Sequence, residues 1–153
     1  MHANSPDDPD GRVAAIFARE IPAIAAGQVV IRALARDPGV RTKVAVSSDS
    51  LDVDAMAACL GEQGSRLASI ASALGGEAVH VATWSPEPAI MIRRALSPLQ
   101  TGHVELHEAS RRATVHVPGE QSPNVLATVE SQRDLASRLS GWHIRLVIDR
   151  ELG

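Results

Sequence analysis

From Arg12 onward the apolar positions fall at helical spacing: Val13, Ile16, Phe17, Ile21 and Ile24 share one side, Pro22 interrupts the run and Gly27 ends it. Residues 28–35 then alternate as a strand, and Asp37-Pro38-Gly39 is a turn signature. Residues 41–46 make the return strand, with Val44 and Val46 facing opposite to Lys43 and Ala45. Residues 53–60 read as a short alanine-rich helix with Asp52 as its N-cap. A second helix carries Leu67, Ile70, Ala71 and Leu74 and stops at Gly75-Gly76. Residues 78–84 form a third strand.

The same order then begins again. Pro88 to Leu96 is a helix with Ile90, Met91, Ala95 and Leu96 available for burial, closed by Ser97-Pro98. Residues 104–108 and 112–117 make a hairpin around Ala109-Ser110-Arg111. Helices over 123–129 and 133–139, closed by Gly141, lead to a last strand over 143–148. In the second pair, Leu126, Leu135 and Leu139 supply the apolar face. A helix-strand-strand-helix-helix-strand order repeated in units of about 70 residues predicts an α+β chain of two like modules. The expected division is a disordered lead over 1–11, a first domain over 12–84 and a second over 85–153. Trp84 ends a last strand whereas Trp142 precedes one, so the repeat lies in architecture more than in matching residues.

Composition narrows the class. Hydrophobic residues make up 44% but aromatics only 2%, so Ala, Val, Leu and Ile must build the core. No apolar run reaches the roughly 18 residues that a membrane span needs. The N-terminus is polar and acidic rather than a secretion signal. A single cysteine, Cys59, on an apolar helix face, excludes an internal disulfide framework and fits a reducing, cytoplasmic setting. Net charge is −3, and every cation but Lys43 is arginine. Nucleic-acid contact must therefore be local rather than driven by bulk charge.

The stretch with a chemical signature is Gly61-Glu62-Gln63-Gly64, followed by Ser65 and Arg66. A Gly-x-x-Gly turn opening a helix exposes N–H groups with no Cβ in the way, which admits a sugar-phosphate backbone. This is the turn with which a KH module clamps about four nucleotides. With it in place, the chain closely resembles the tandem KH region of the bacterial transcription elongation and termination factor NusA. The stretches that carry the likeness are IFAREIPAIAAGQVVIRALARDPGVRTKVAV (Ile16 to Val46), ACLGEQGSRLASIASALGGEAVHVATWSPEP (Ala58 to Pro88), RRALSP (Arg93 to Pro98) and LASRLSGWHI (Leu135 to Ile144).

The resemblance implies two type II KH domains packed rigidly together, each a three-stranded sheet covered on one face by helices. It also implies single-stranded RNA as ligand and a role in pausing, termination or antitermination. The family's polymerase-binding and S1 domains have no room in a chain that starts at Met1. A stand-alone fragment or reduced paralogue is expected, and polymerase contact through the missing domain does not carry over. In the first loop the family's Pro-Lys is replaced by Glu62-Gln63, which removes a cation and adds an anion. In the second, the family's loop aligns with Ala127-Thr128-Val129-Glu130, followed by Ser131-Gln132, and both glycines are gone. RNA binding is expected to be weak and carried mainly by the first module.

The RNA-contacting set is therefore Gly61, Glu62, Gln63, Gly64, Ser65 and Arg66, with Arg41 and Lys43 flanking; solvated sheet surface is the alternative reading of those two cations. Trp84 is expected to anchor the joint between modules rather than to stack a base. The six histidines lack ligand spacing, so no metal is expected, and no nucleophile or nucleotide loop points to an enzyme or a cofactor. Two functional readings stay open: an RNA-binding transcription factor module, or a module that has exchanged RNA for a protein such as polymerase, another transcription factor or a ribosomal protein. A monomer is expected in either case.

Overall fold

The computed structural model describes residues 6–149. The chain divides into two compact units, Met1–Trp84 and Ser85–Gly153.

In the first unit α1 (Arg12–Glu20) and α2 (Pro22–Ala25) are separated by Ile21, where the proline ends the first helix. They precede β1 (Val29–Asp37) and β2 (Arg41–Ser48). Then come α3 (Ala55–Leu60), α4 (Ser65–Ala73) and β3 (Ala78–Thr83). The sheet order is β1-β2-β3, with the first pair antiparallel and the second parallel. Val13, Ile16 and Phe17 of α1 and Ile70 of α4 pack on Val29, Ile31, Leu34, Val44 and Val46 of the sheet. Val29, Ile31 and Leu34 cannot share a face in an unbroken strand of period two. A register shift between Ile31 and Ala33 brings Leu34 back into phase.

The expected disordered lead over 1–11 is corrected where the structure describes it; residues 1–5 lie outside the described residues. Asp8 is only 3% exposed. Its carboxylate accepts from the backbone N–H of Val13 at 2.9 Å and of Ala14 at 3.0 Å. Gly11, at the N-cap of α1, has no side chain to serve those donors, and Asp8 reaches over it to do so. Asp7 accepts from the N–H of Arg36 at 3.0 Å. Asp8→Ala is expected to lower the stability of this unit by about 1–2 kcal/mol. The check is the urea midpoint followed by Trp84 fluorescence in a Trp142→Phe background; an unchanged midpoint would mean that the contact contributes nothing.

The second unit comprises α5 (Pro88–Leu96), β4 (Val104–His107), β5 (Arg112–Pro118), α6 (Pro123–Leu126), α7 (Val129–Ser140) and β6 (His143–Asp149). Its sheet order is β4-β5-β6, again antiparallel then parallel. Ala113, Val115, Val117 and Ile144 of the sheet and Leu135, Ala136 and Leu139 of α7 are buried. The helix pair therefore forms, but its break is not where the pattern placed it. α6 is a single turn capped by Ser122, whose hydroxyl accepts from the N–H of Val125 at 3.3 Å, and α7 already begins at Val129. Among the described residues no helix is long and apolar enough to cross a membrane.

Candidate nucleic-acid interface

α3 is N-capped by Asp54, not Asp52: the Asp54 carboxylate accepts from the N–H of Ala57 at 3.1 Å. The helix ends at Gly61, whose N–H reaches the carbonyl of Ala57 at 3.1 Å while φ swings to +69°. Glu62–Gly64 make one tight turn in which Gln63 takes φ +54° and Gly64 φ +74°, and α4 starts at Ser65. Three of these four residues thus sit at positive φ, two of them glycines, for which it is free of strain. The backbone N–H groups of Glu62 and Gln63 have no acceptor among the described residues.

The two glycines do different work. At Gly64 a Cβ would meet nothing within 4 Å, so that side of the turn is open space. At Gly61 a Cβ would stand 2.7 Å from Cγ of Arg66. Arg66 folds back across Gly61 and donates to the carbonyl of Ala58 at 2.6 Å. It holds the end of α3 against the start of α4, and its guanidinium serves a carbonyl of the protein. Cys59, beneath the turn, is fully buried. Burial pushes its thiol up to about 11 despite the nearby Arg66 charge, so it is a packing residue and no nucleophile.

Lys43 is only 2% exposed. Desolvation, with the Arg41 charge beside it, pulls its ammonium down to about 7. Both readings of Lys43, as a phosphate holder on the sheet flank and as solvated sheet surface, are therefore corrected to a buried side chain. Trp84 supports the guanidinium of Arg32, 4.7 Å from its ring, and Arg32 also donates to the Ser47 hydroxyl at 2.8 Å.

The 127–130 segment has no counterpart of the first turn. Thr128 has φ −102° and ψ 4°, and Val129 and Glu130 are already helical. The N–H groups of Ala127 and Thr128 are taken by Pro123 and Val125, and the Thr128 hydroxyl donates to the Val125 carbonyl at 2.8 Å. Without glycine the left-handed turn is costly, and the chain runs almost directly from one helix into the next. Sequence reasoning passed over a different feature of this unit, a groove of about 510 Å³ where Arg112, Arg133 and Arg145 converge. Its signal was faint: arginines scattered over paired strands and a helix read as ordinary polar faces.

The chain is similar to known proteins. A family model of the NusA-like first KH domain matches residues 10–84. The transcription termination/antitermination protein NusA of Thermus thermophilus is 41% identical over 129 residues, 84% of this chain and 33% of that protein. That of Bacillus subtilis is 34% identical over 146 residues, 94% of this chain and 39% of that protein. That of Mycobacterium tuberculosis is 36% identical over 130 residues, 84% of this chain and 38% of that protein. The chain thus spans between 33% and 39% of the length of these relatives. The crystal structure of APE1850 shares the fold, with a TM-score of 0.55 at 16% identity over 90% of this chain and 96% of that one.

Proposed function

The chain belongs to the NusA-like KH family, with residues 10–84 as its first KH domain, and on that footing we propose that it binds single-stranded RNA through the 61–65 turn and so modulates transcription elongation, termination or antitermination. The observation that carries the proposal is the turn itself. Gly61 and Gly64 at positive φ open a helix, two N–H groups are unclaimed, and the space beside Gly64 is empty. A phosphodiester can approach there closely enough to accept both hydrogen bonds, and the positive end of α4 favours its charge. Arg66 acts from behind, as the residue that fixes the turn, while Ser65 opens α4. The proposed occupant is one short RNA segment, held weakly, because Glu62 places an anion beside it.

Fluorescence anisotropy of short unstructured RNAs against the purified chain, at low and physiological salt, tests this directly. Binding in the micromolar range is expected. Glu62→Gln/Gln63→Lys should tighten it about tenfold, since a unit charge pair at 4 Å is worth roughly 1 kcal/mol in water and about 4 near a protein surface. Gln63 already occupies the left-handed region, so lysine there adds no new backbone strain. A chain that ignores RNA in both forms would instead have exchanged it for a protein partner, and capture of polymerase or ribosomal proteins would be the measurement to follow.

A further inference from the structure

β6 lies at one edge of the second sheet, with β5 on its inner side. The two strands run parallel, so the backbone groups of β6 point by turns toward β5 and away from it. The N–H of His143 reaches the Arg111 carbonyl at 2.9 Å, and that of Ile144 turns to the Ser137 hydroxyl of α7 at 3.2 Å. Odd-numbered residues thus serve the sheet. The backbone groups of Leu146 and Ile148 face outward with no partner among the described residues. Side chains alternate as well. Ile144 is buried on the α7 side and Leu146 and Ile148 continue that face, Ile148 being 45% exposed. Arg145, Val147 and Asp149 lie on the other face.

Open sheet edges are usually blunted. In the first sheet β1 is bulged, and Asp7 takes the outward N–H of Arg36 at 3.0 Å. In the second, β4 has only four residues. Past Ile144, β6 keeps an even register with β5, and its guards are the charges of Arg145 and Asp149. Those charges are opposite in sign and symmetric about Val147. If two β6 strands pair antiparallel about that residue, Arg145 of each copy stands across from the partner's Asp149. Leu146 then stands across from the partner's Ile148, and these are the residues whose backbone groups point outward, so a ladder closes without a change in the strand. Other registers do worse. Centring on Arg145 sets arginine against arginine, and centring on Leu146 needs the Ile144 N–H that Ser137 already holds. Centring on Ile148 carries Arg145 beyond the end of the partner strand.

We infer that β6 is a self-association edge, through which two copies of this chain join their second sheets about a twofold axis at Val147. His116 approaches one Asp149 oxygen at 3.3 Å from the neighbouring strand, yet 58% of the Asp149 side chain stays exposed for the ion pair. Five paired residues make a small interface, so the dimer forms at roughly tens of micromolar chain. The monomer expected from the sequence is then its dilute state. The pairing makes no use of the 61–65 turn and is independent of the RNA-binding reading.

The test is sedimentation equilibrium of the full chain from the low to the high micromolar range. A reversible monomer–dimer equilibrium is expected. Arg145→Asp and Asp149→Arg each set like charges across the axis and should weaken the dimer at least tenfold. Mixed in equal amounts, the two variants again place opposite charges across the axis and should form a heterodimer about as strong as the wild-type dimer, which also requires that both fold. Val147→Cys should form an intermolecular disulfide on mild oxidation, because residues facing each other in that position of an antiparallel pair stand about 4.5 Å apart at Cα, within disulfide reach. A chain that stays monomeric throughout the range would overturn the inference. So would a dimer that the single reversals leave intact, or two reversed variants that ignore each other when mixed.

Discussion

Replacing Glu77 by glutamine is expected to cost the first unit about 3 kcal/mol, although the residue touches no proposed ligand. The Glu77 side chain is 1% exposed and lies 2.6 Å from Nη2 of Arg36. It also accepts from Nε of Arg36 at 3.1 Å, from the N–H of Gly39 at 2.9 Å and from the Thr42 hydroxyl at 2.6 Å. One carboxylate thereby ties the end of β1, the 38–40 turn and the start of β2 to the residue that precedes β3. Glutamine presents an NH2 group to a ring of donors and leaves Arg36 without its counter-charge. Removing one partner of a buried ion pair typically costs about 3–5 kcal/mol. The lower end applies because the Arg36 side chain keeps 15% exposure.

The same site fixes a pH dependence. Burial on its own would raise the Glu77 carboxyl, but the hydrogen bonds from Arg36, Thr42 and Gly39, with the Arg36 charge, outweigh it and hold the group at about 2. A carboxyl whose folded value lies below its unfolded one stabilises the fold above the unfolded value and loses that contribution as pH falls. The window therefore runs from about 4.5 down to about 2, and a shift of that size is worth about 3 kcal/mol. The chain has two tryptophans, one in each unit, so urea unfolding in a Trp142→Phe background lets Trp84 report on the first unit alone. The Glu77→Gln midpoint should drop with an unchanged slope, and its gap from the unmutated background should close as pH approaches 2. A gap that persists at that pH would show that the charge is not its cause.

Neither effect was legible in the sequence, and the reason is the range over which pattern speaks. Periodicity reports which residues share a face within one element, and so the order of helices and strands was readable in both halves. Even the β1 bulge is latent in the spacing of Val29, Ile31 and Leu34. What periodicity lacks is the other side. Alternation put Lys43 opposite to Val44 but had no means of telling a wet face from a covered one, and Lys43 is covered. Glu77 gathers donors from three separate segments, and Asp8 caps a helix from beyond the residue where a cap is sought. The second loop was placed by alignment to a glycine motif. Once the glycines are gone the chain has no cheap left-handed turn, and residues 129–130 join the helix instead.

At the first loop, Gly64→Asp is expected to weaken RNA binding at least tenfold while lowering stability by about 1 kcal/mol. The backbone demand is modest, since aspartate is among the residues that tolerate the left-handed region best. The added Cβ enters open space, and that is the space the RNA backbone is proposed to fill. A carboxylate there opposes a phosphate at close range, for roughly 1 to 4 kcal/mol. Gly61→Asp should behave differently. Its Cβ collides with Cγ of Arg66, which must leave the Ala58 carbonyl, so this change should cost stability as well as affinity, about 2 kcal/mol. The double change should abolish measurable binding. Gly64→Ala separates the causes, because it strains the backbone at least as much and brings no charge. If the alanine and aspartate variants lose affinity equally, the turn acts through its shape and the charge argument fails; if neither loses any, the turn is not where RNA binds.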